Sequence, residues 1–106
     1  MNIEQLKPLL PHAKKAAELL KFLSHPGRLV ICCALSEDEL NPTQLAYLTD
    51  MSMPALSPHL KSLEKAEILK VRQDHRNRYY KLKSKDVMKI IQTLQSIYCP
   101  EMVKSK

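Results

Sequence analysis

The chain has 106 residues, 44% hydrophobic and 26% charged, which is ordinary globular composition for one domain of about 100–200 residues. Lys and Arg number 17 against 11 Asp and Glu, a formal charge of +6 that suggests a polyanionic partner. One glycine excludes a Gly-rich phosphate loop, and three cysteines, an odd number, argue against a secreted disulfide framework.

The N-terminal ten residues hold Glu4 and Lys7 and lack the apolar run of a signal peptide. The longest apolar run, residues 29–35, is far short of the ~18 residues of a membrane helix. A cytoplasmic protein with no membrane partner is the expectation. After Pro11, Ala16, Leu19, Leu20 and Leu23 recur with helical spacing. His25-Pro26 breaks that helix, because the residue before a proline avoids the α region, and a second helix starts at about Pro26 and runs to Leu35. An acidic link follows, Glu37, Asp38 and Glu39. Asn41-Pro42-Thr43-Gln44 then reads as a helix start, with Asn41 as cap and Gln44 three residues on. This short helix is expected to turn Leu45 and Leu48 inward and to end near Thr49. Asp50-Met51 makes a tight turn, and Ser52 caps another helix with Leu56, Leu60 and Leu63 on one face. Two short helices so joined are a helix-turn-helix arrangement.

Beyond Ala66 the period changes from 3.6 to 2. Leu69, Val71 and Gln73 alternate with Lys70 and Arg72; Tyr80 and Leu82 alternate with Tyr79 and Lys81. Asp74-His75-Arg76-Asn77 lies between them, so the segment reads as a β-hairpin whose turn lacks glycine, with Asn77 or Asp74 expected to take any positive φ. Ser84 caps a last helix striped by Val87, Ile90, Ile91, Leu94 and Ile97, and Pro100 ends it. The fold class is mainly α with a small β-hairpin, a winged helix-turn-helix layout. Residues 1–106 are read as a single such domain.

Charge is unevenly placed. Over residues 51–83, eight bases stand against three acids, a net +5, while residues 37–50 carry four acids and no base. A solvated lysine-rich face would explain this too, but arginines in a hairpin directly after a helix-turn-helix favour nucleic acid. Opposite the apolar face of the second helix of the pair lie Pro54, Ser57, Pro58, Lys61 and Lys65. Ser52, Ser57 and Lys61 can donate to phosphates or base edges, and Arg76 and Arg78 at the hairpin suit phosphates or a minor groove. His59 flanks the buried face and reads as a packed or phosphate-bonded histidine. Pro58 costs a helix interior ~3 kcal/mol. Either the helix bends there, or its regular part begins at Pro58 with Ser57 as cap. No nucleophile–base constellation marks an enzyme, and no cofactor is implied.

These residues resemble the ArsR-type repressors. His25-Pro26-Gly27-Arg28-Leu29-Val30-Ile31 with Leu35 is similar to their (D/H)P-x-RL-x-I-L helix. The stretch from Met51 to Leu63 resembles their recognition helix, S-x-S-x-(L/V)-S-x-H-L-x-x-L, and Arg78-Tyr79-Tyr80-Lys81-Leu82 resembles their second wing strand. The likeness spans roughly residues 12–99. It implies a homodimer through the first and last helices, bound to a double-stranded DNA operator. Glu67 departs from the family's pattern, standing where a glycine usually follows the recognition helix.

Such proteins are usually sensors. The metal-sensing CxC is absent from Gln44-Leu45-Ala46-Tyr47-Leu48, and the four histidines lack ligand spacing, so metal is disfavoured. Ile31-Cys32-Cys33-Ala34-Leu35 and Ile97-Tyr98-Cys99-Pro100 resemble the dithiol, reactive-sulfur-sensing subgroup of BigR, SqrR and HlyU. That resemblance implies redox sensing by Cys33 and Cys99, with a reactive sulfur species or oxidant as inducer and Cys32 as the extra thiol. The plainer reading is that Cys33 is core filler, since cysteine is among the most buried residues. A metal or metalloid sensor, or a winged helix used as a protein-interaction module, remains as an alternative.

Overall fold

The computed structural model describes residues 1–102. Its elements are α1 (Ile3–Leu6), α2 (Leu9–Leu23), α3 (Pro26–Glu37), α4 (Pro42–Thr49), α5 (Met53–Lys65), β1 (Leu69–Asp74), β2 (Asn77–Leu82), α6 (Lys85–Tyr98) and a 3-10 turn at Pro100–Met102.

Local chemistry sets most of the boundaries. At α4, the Asn41 side chain accepts from the Gln44 N–H while the Gln44 side chain accepts from the Asn41 N–H, both at 2.9 Å. This reciprocal box satisfies two N–H groups that a helix start leaves without partners. Ser52 and Ser84 cap α5 and α6 through the N–H groups of Ala55 and Val87. Asp50 ends α4 in the left-handed conformation, φ 58°, which makes the tight turn between the two helices. Asn2 and Gln5 repeat the same box and start α1, an element the hydrophobic pattern does not announce. Helix α2 begins at Leu9, earlier than expected, because Pro11 falls in its first turn, where a missing N–H costs little.

The strands pair antiparallel from Leu69↔Leu82 to Asp74↔Asn77. The turn is therefore only His75 and Arg76, and His75 holds the positive φ, 57°, not Asp74 or Asn77. Leu40 bridges to Tyr80 in both directions (3.0 and 2.7 Å), fastening the α3–α4 link to the outer edge of the wing.

The core joins Leu23, Ile31, Cys32, Leu35, Leu45, Leu56, Leu60, Leu63, Ile68, Leu69, Tyr80, Leu82, Val87 and Ile91. Each fully buried aliphatic side chain contributes roughly 1.5–3 kcal/mol. Leu48 does not turn inward; it stays 47% exposed. The stripe on α6 is buried only in its first half, since Val87 and Ile91 are covered whereas Ile97 is 60% exposed. Helices α1 and α2 bury one residue between them, Leu23. The radius of gyration is 16.0 Å, above the roughly 13 Å of a compact domain of this length. Ile3, Leu9, Leu10, Leu20, Ile97 and Tyr98 stand exposed on the first two helices and the last. No single described helix is long and apolar enough to cross a membrane.

Candidate nucleic-acid interface and thiol pair

Helix α5 turns Leu56, Leu60 and Leu63 into the core and leaves Pro54, Ser57, Pro58, Lys61 and Lys65 exposed on the opposite side. Pro58 lies inside a helix that runs unbroken from the Ser52 cap, so Ser57 is not a cap and the late start is not taken. Without an N–H at Pro58, the carbonyl of Pro54 loses its intrahelical donor. Ser52 is engaged as the cap.

The wing extends the basic surface. Arg76 sits exposed in its turn, with no ion pair among the described residues. Arg78 is held differently: its guanidinium lies 3.6 Å from the Glu64 carboxylate on α5, which ties wing to helix. Arg72 is bound to Glu39 through Nε and Nη2 and covers the Tyr79 ring at 4.6 Å. Glu67 takes the left-handed backbone, φ 63°, at the bend after α5, and its carboxylate pairs with Lys83. That lysine holds the Glu67 carboxyl below its ordinary range.

His59 is half-buried beside the leucine face of α5 and turns toward α3. Its Nδ1 accepts from Nε of Arg28 at 3.0 Å, and its ring centroid lies 4.3 Å from that of His25. Burial, then the charges of His25 and Arg28, push His59 below the usual imidazole range. His25 in turn caps α3, its Nδ1 accepting from the Gly27 N–H. Spacing gave no sign of the Arg28–His59 link, because 31 positions separate the two residues.

Cys33 on α3 and Cys99 at the end of α6 line one groove of about 260 Å³, with Leu29, Ile91, Leu94, Gln95 and Tyr98. Both thiols are free and half-buried. Burial pushes the Cys33 thiol up, a hydrogen bond from Gln95 opposes that, and nearby Cys99 adds to the rise. Cys33 is thus not the lowered thiol that nucleophilic attack favours. Cys32 points the other way, into the core, and burial drives its thiol up to about 12. Among the described residues, no three His, Cys, Asp or Glu side chains converge as metal ligands would.

The model of the bacterial regulatory proteins of the arsR family matches residues 25–71, from the cap of α3 into β1. The HTH-type transcriptional regulator YgaV of Escherichia coli is 36% identical over 97 residues, covering 91% of this chain and 98% of that one. The solved structure of reduced HlyU from Vibrio cholerae superposes with a TM-score of 0.81 at 32% identity, over 89% of this chain and 99% of that chain. BigR from Xylella fastidiosa superposes at 0.79 with 28% identity, over 93% and 98%. The chain therefore belongs to the ArsR family of bacterial transcriptional regulators, and the members it is similar to include HlyU and BigR.

Proposed function

We propose that the chain is a homodimeric repressor that binds a double-stranded DNA operator through α5 and the wing, and that linking Cys33 to Cys99 lowers its DNA affinity. The observation that carries this reading is that the two thiols share one groove between α3 and α6. Helix α3 also carries Arg28, which bonds to the recognition helix, so a strain across α3 and α6 has a physical route to α5. The contact surface on DNA is Ser57, Lys61, Lys65 and Arg76, with Pro54 and Pro58 on the same exposed face and Ser52 at the helix start. Arg78 joins after release from Glu64. His59 acts from within, through Arg28. The dimer forms by covering the apolar residues that α1, α2 and α6 leave exposed.

Linking the thiols is a two-electron oxidation. Two S–H bonds break, one S–S bond forms, two protons leave to water, and a peroxide or polysulfide takes the electrons. Sulfur atoms inserted between the cysteines as neutral atoms leave that balance unchanged.

The test uses a duplex enriched from a random library by the protein itself. Reduced protein, polysulfide-treated protein and Cys33→Ser protein are titrated against it. Treatment is expected to weaken the wild type roughly 5- to 150-fold and to leave Cys33→Ser unaffected. Equal binding before and after treatment sinks the sensing claim.

A further inference from the structure

Arg28 occupies the first turn of α3, yet its guanidinium serves three helices. Nη1 donates to the Phe22 carbonyl at the end of α2 (3.0 Å), and Cζ lies 4.4 Å above the Phe22 ring. Nε donates to His59 Nδ1 on α5 (3.0 Å). The ring of His25, which closes the α2–α3 junction, stands against the ring of His59. An imidazole accepts a hydrogen bond only through a nitrogen that carries no proton. With Nδ1 as acceptor, neutral His59 holds its proton on Nε2. A second proton would have to enter Nδ1. It would abolish the bond from Arg28 and set a new positive charge against a guanidinium and His25. The titratable and charged groups acting on His59 are Arg28 from α3 and His25 from the α2–α3 junction, with no carboxylate among them.

We propose that Arg28 and neutral His59 form a positioning joint that sets the recognition helix against α2 and α3, and that protonating this joint weakens sequence-specific DNA binding. The proposal rests on the DNA-binding reading above and is independent of the cysteines. Its sign is distinctive. A histidine that only touched phosphate would strengthen binding on gaining a proton, because added positive charge favours DNA. A histidine that holds the helix in place does the opposite.

Two measurements test it. In the first, the histidine resonances of wild type and Arg28→Gln are followed against pH. The titration of His59 is expected to move upward once the guanidinium is gone; an unmoved midpoint overturns the joint. In the second, wild type and His59→Asn are titrated against the library-selected duplex and a scrambled duplex, at neutral and mildly acidic pH. Asparagine keeps an acceptor near the Nδ1 position and does not titrate. The wild type is expected to lose about tenfold in the ratio of selected to scrambled affinity on acidification, and His59→Asn to hold its ratio. Parallel behaviour of the two proteins, or a ratio that rises in acid for the wild type alone, overturns the positioning role. If no duplex is selected at any pH, the DNA-binding reading falls and the proposal with it, while the resonance data report separately on the joint.

Discussion

Arg72 on β1 reaches Glu39, in the link before α4, and donates to its carboxylate through both Nε and Nη2, the closest contact being 2.8 Å. The pair fastens the base of the wing to the helical body beside the Leu40–Tyr80 bridge. The hydrogen bonds from Arg72, more than its charge, hold the Glu39 carboxyl below its ordinary value. A carboxylate lowered in this way stabilises the folded state fully above its unfolded value, and the stabilisation is lost as pH falls through the folded value. Glu39→Gln is therefore expected to unfold at lower urea than the wild type at neutral pH, with the difference vanishing in strong acid. Urea midpoints across that range check it; a gap that persists in acid means the charge is not its source.

Pro58 interrupts the hydrogen bonding of a helix whose other chemistry is favourable, with a serine cap and three buried leucines. Its ring is exposed, so removing it uncovers nothing. Pro58→Ala is expected to stabilise the protein by about 2 kcal/mol, through the regained bond to Pro54 and alanine's helix propensity. Equilibrium denaturation measures this, and an unchanged or lower stability would show that the helix depends on the proline.

The three cysteines differ in chemistry. Because burial lifts Cys32 to about 12, it carries about a thousand-fold less thiolate than an ordinary thiol. Iodoacetamide followed by peptide mapping is expected to mark Cys33 and Cys99 in the folded protein, and Cys32 only after unfolding. Cys32→Ser should retain whatever response the other pair gives. Early labelling of Cys32 would contradict its burial.

Lys61 projects from the open face of α5 without an ion pair among the described residues. As a phosphate contact it should add to affinity evenly across sequences. Lys61→Ala removes one such contact from each protomer of the dimer, so it is expected to lower the slope of log affinity against log salt by about 2 and to leave sequence preference intact. A change of preference at an unchanged slope would place Lys61 on a base edge instead.

Much of this architecture is legible in residue order. The cap at Asn41, the serine caps, the inward leucines of α5 and the alternation of Tyr80 and Leu82 are local signals, and the folded chain uses them as such. Helix α1 is hard to read although Asn2 and Gln5 carry the spacing that Asn41 and Gln44 carry, because four residues are too few to show a periodic face and none of them is buried. Leu48 misled because periodicity alone assigns a face, while the short α4 has neighbours only on the side of Leu45. The turn misled because asparagine and aspartate tolerate positive φ well, yet pairing Asp74 with Asn77 leaves the two-residue loop to His75 and Arg76. The pairing of Cys33 with Cys99 is implied by likeness to relatives and not by spacing, and the groove that the two thiols line depends on how α6 packs on α3. The bond from Arg28 to His59 depends on how α3 crosses α5, which no local pattern encodes.

The left-handed positions at Asp50, Glu67 and His75 are all filled by residues with side chains, while the single glycine, Gly27, lies inside a helix. A side chain in that conformation costs the folded state ~1–2 kcal/mol. The same choice acts on the denatured ensemble. A residue bearing a Cβ has fewer conformations to surrender than glycine would, by about 0.4–1 kcal/mol per site, which offsets only part of the strain at a positive φ. Seven prolines narrow that ensemble further. The prolines thus lend stability through the stiffness of the denatured chain, whereas Asp50, Glu67 and His75 draw on it, so that glycine at any of the three would relieve more strain than the freedom it adds.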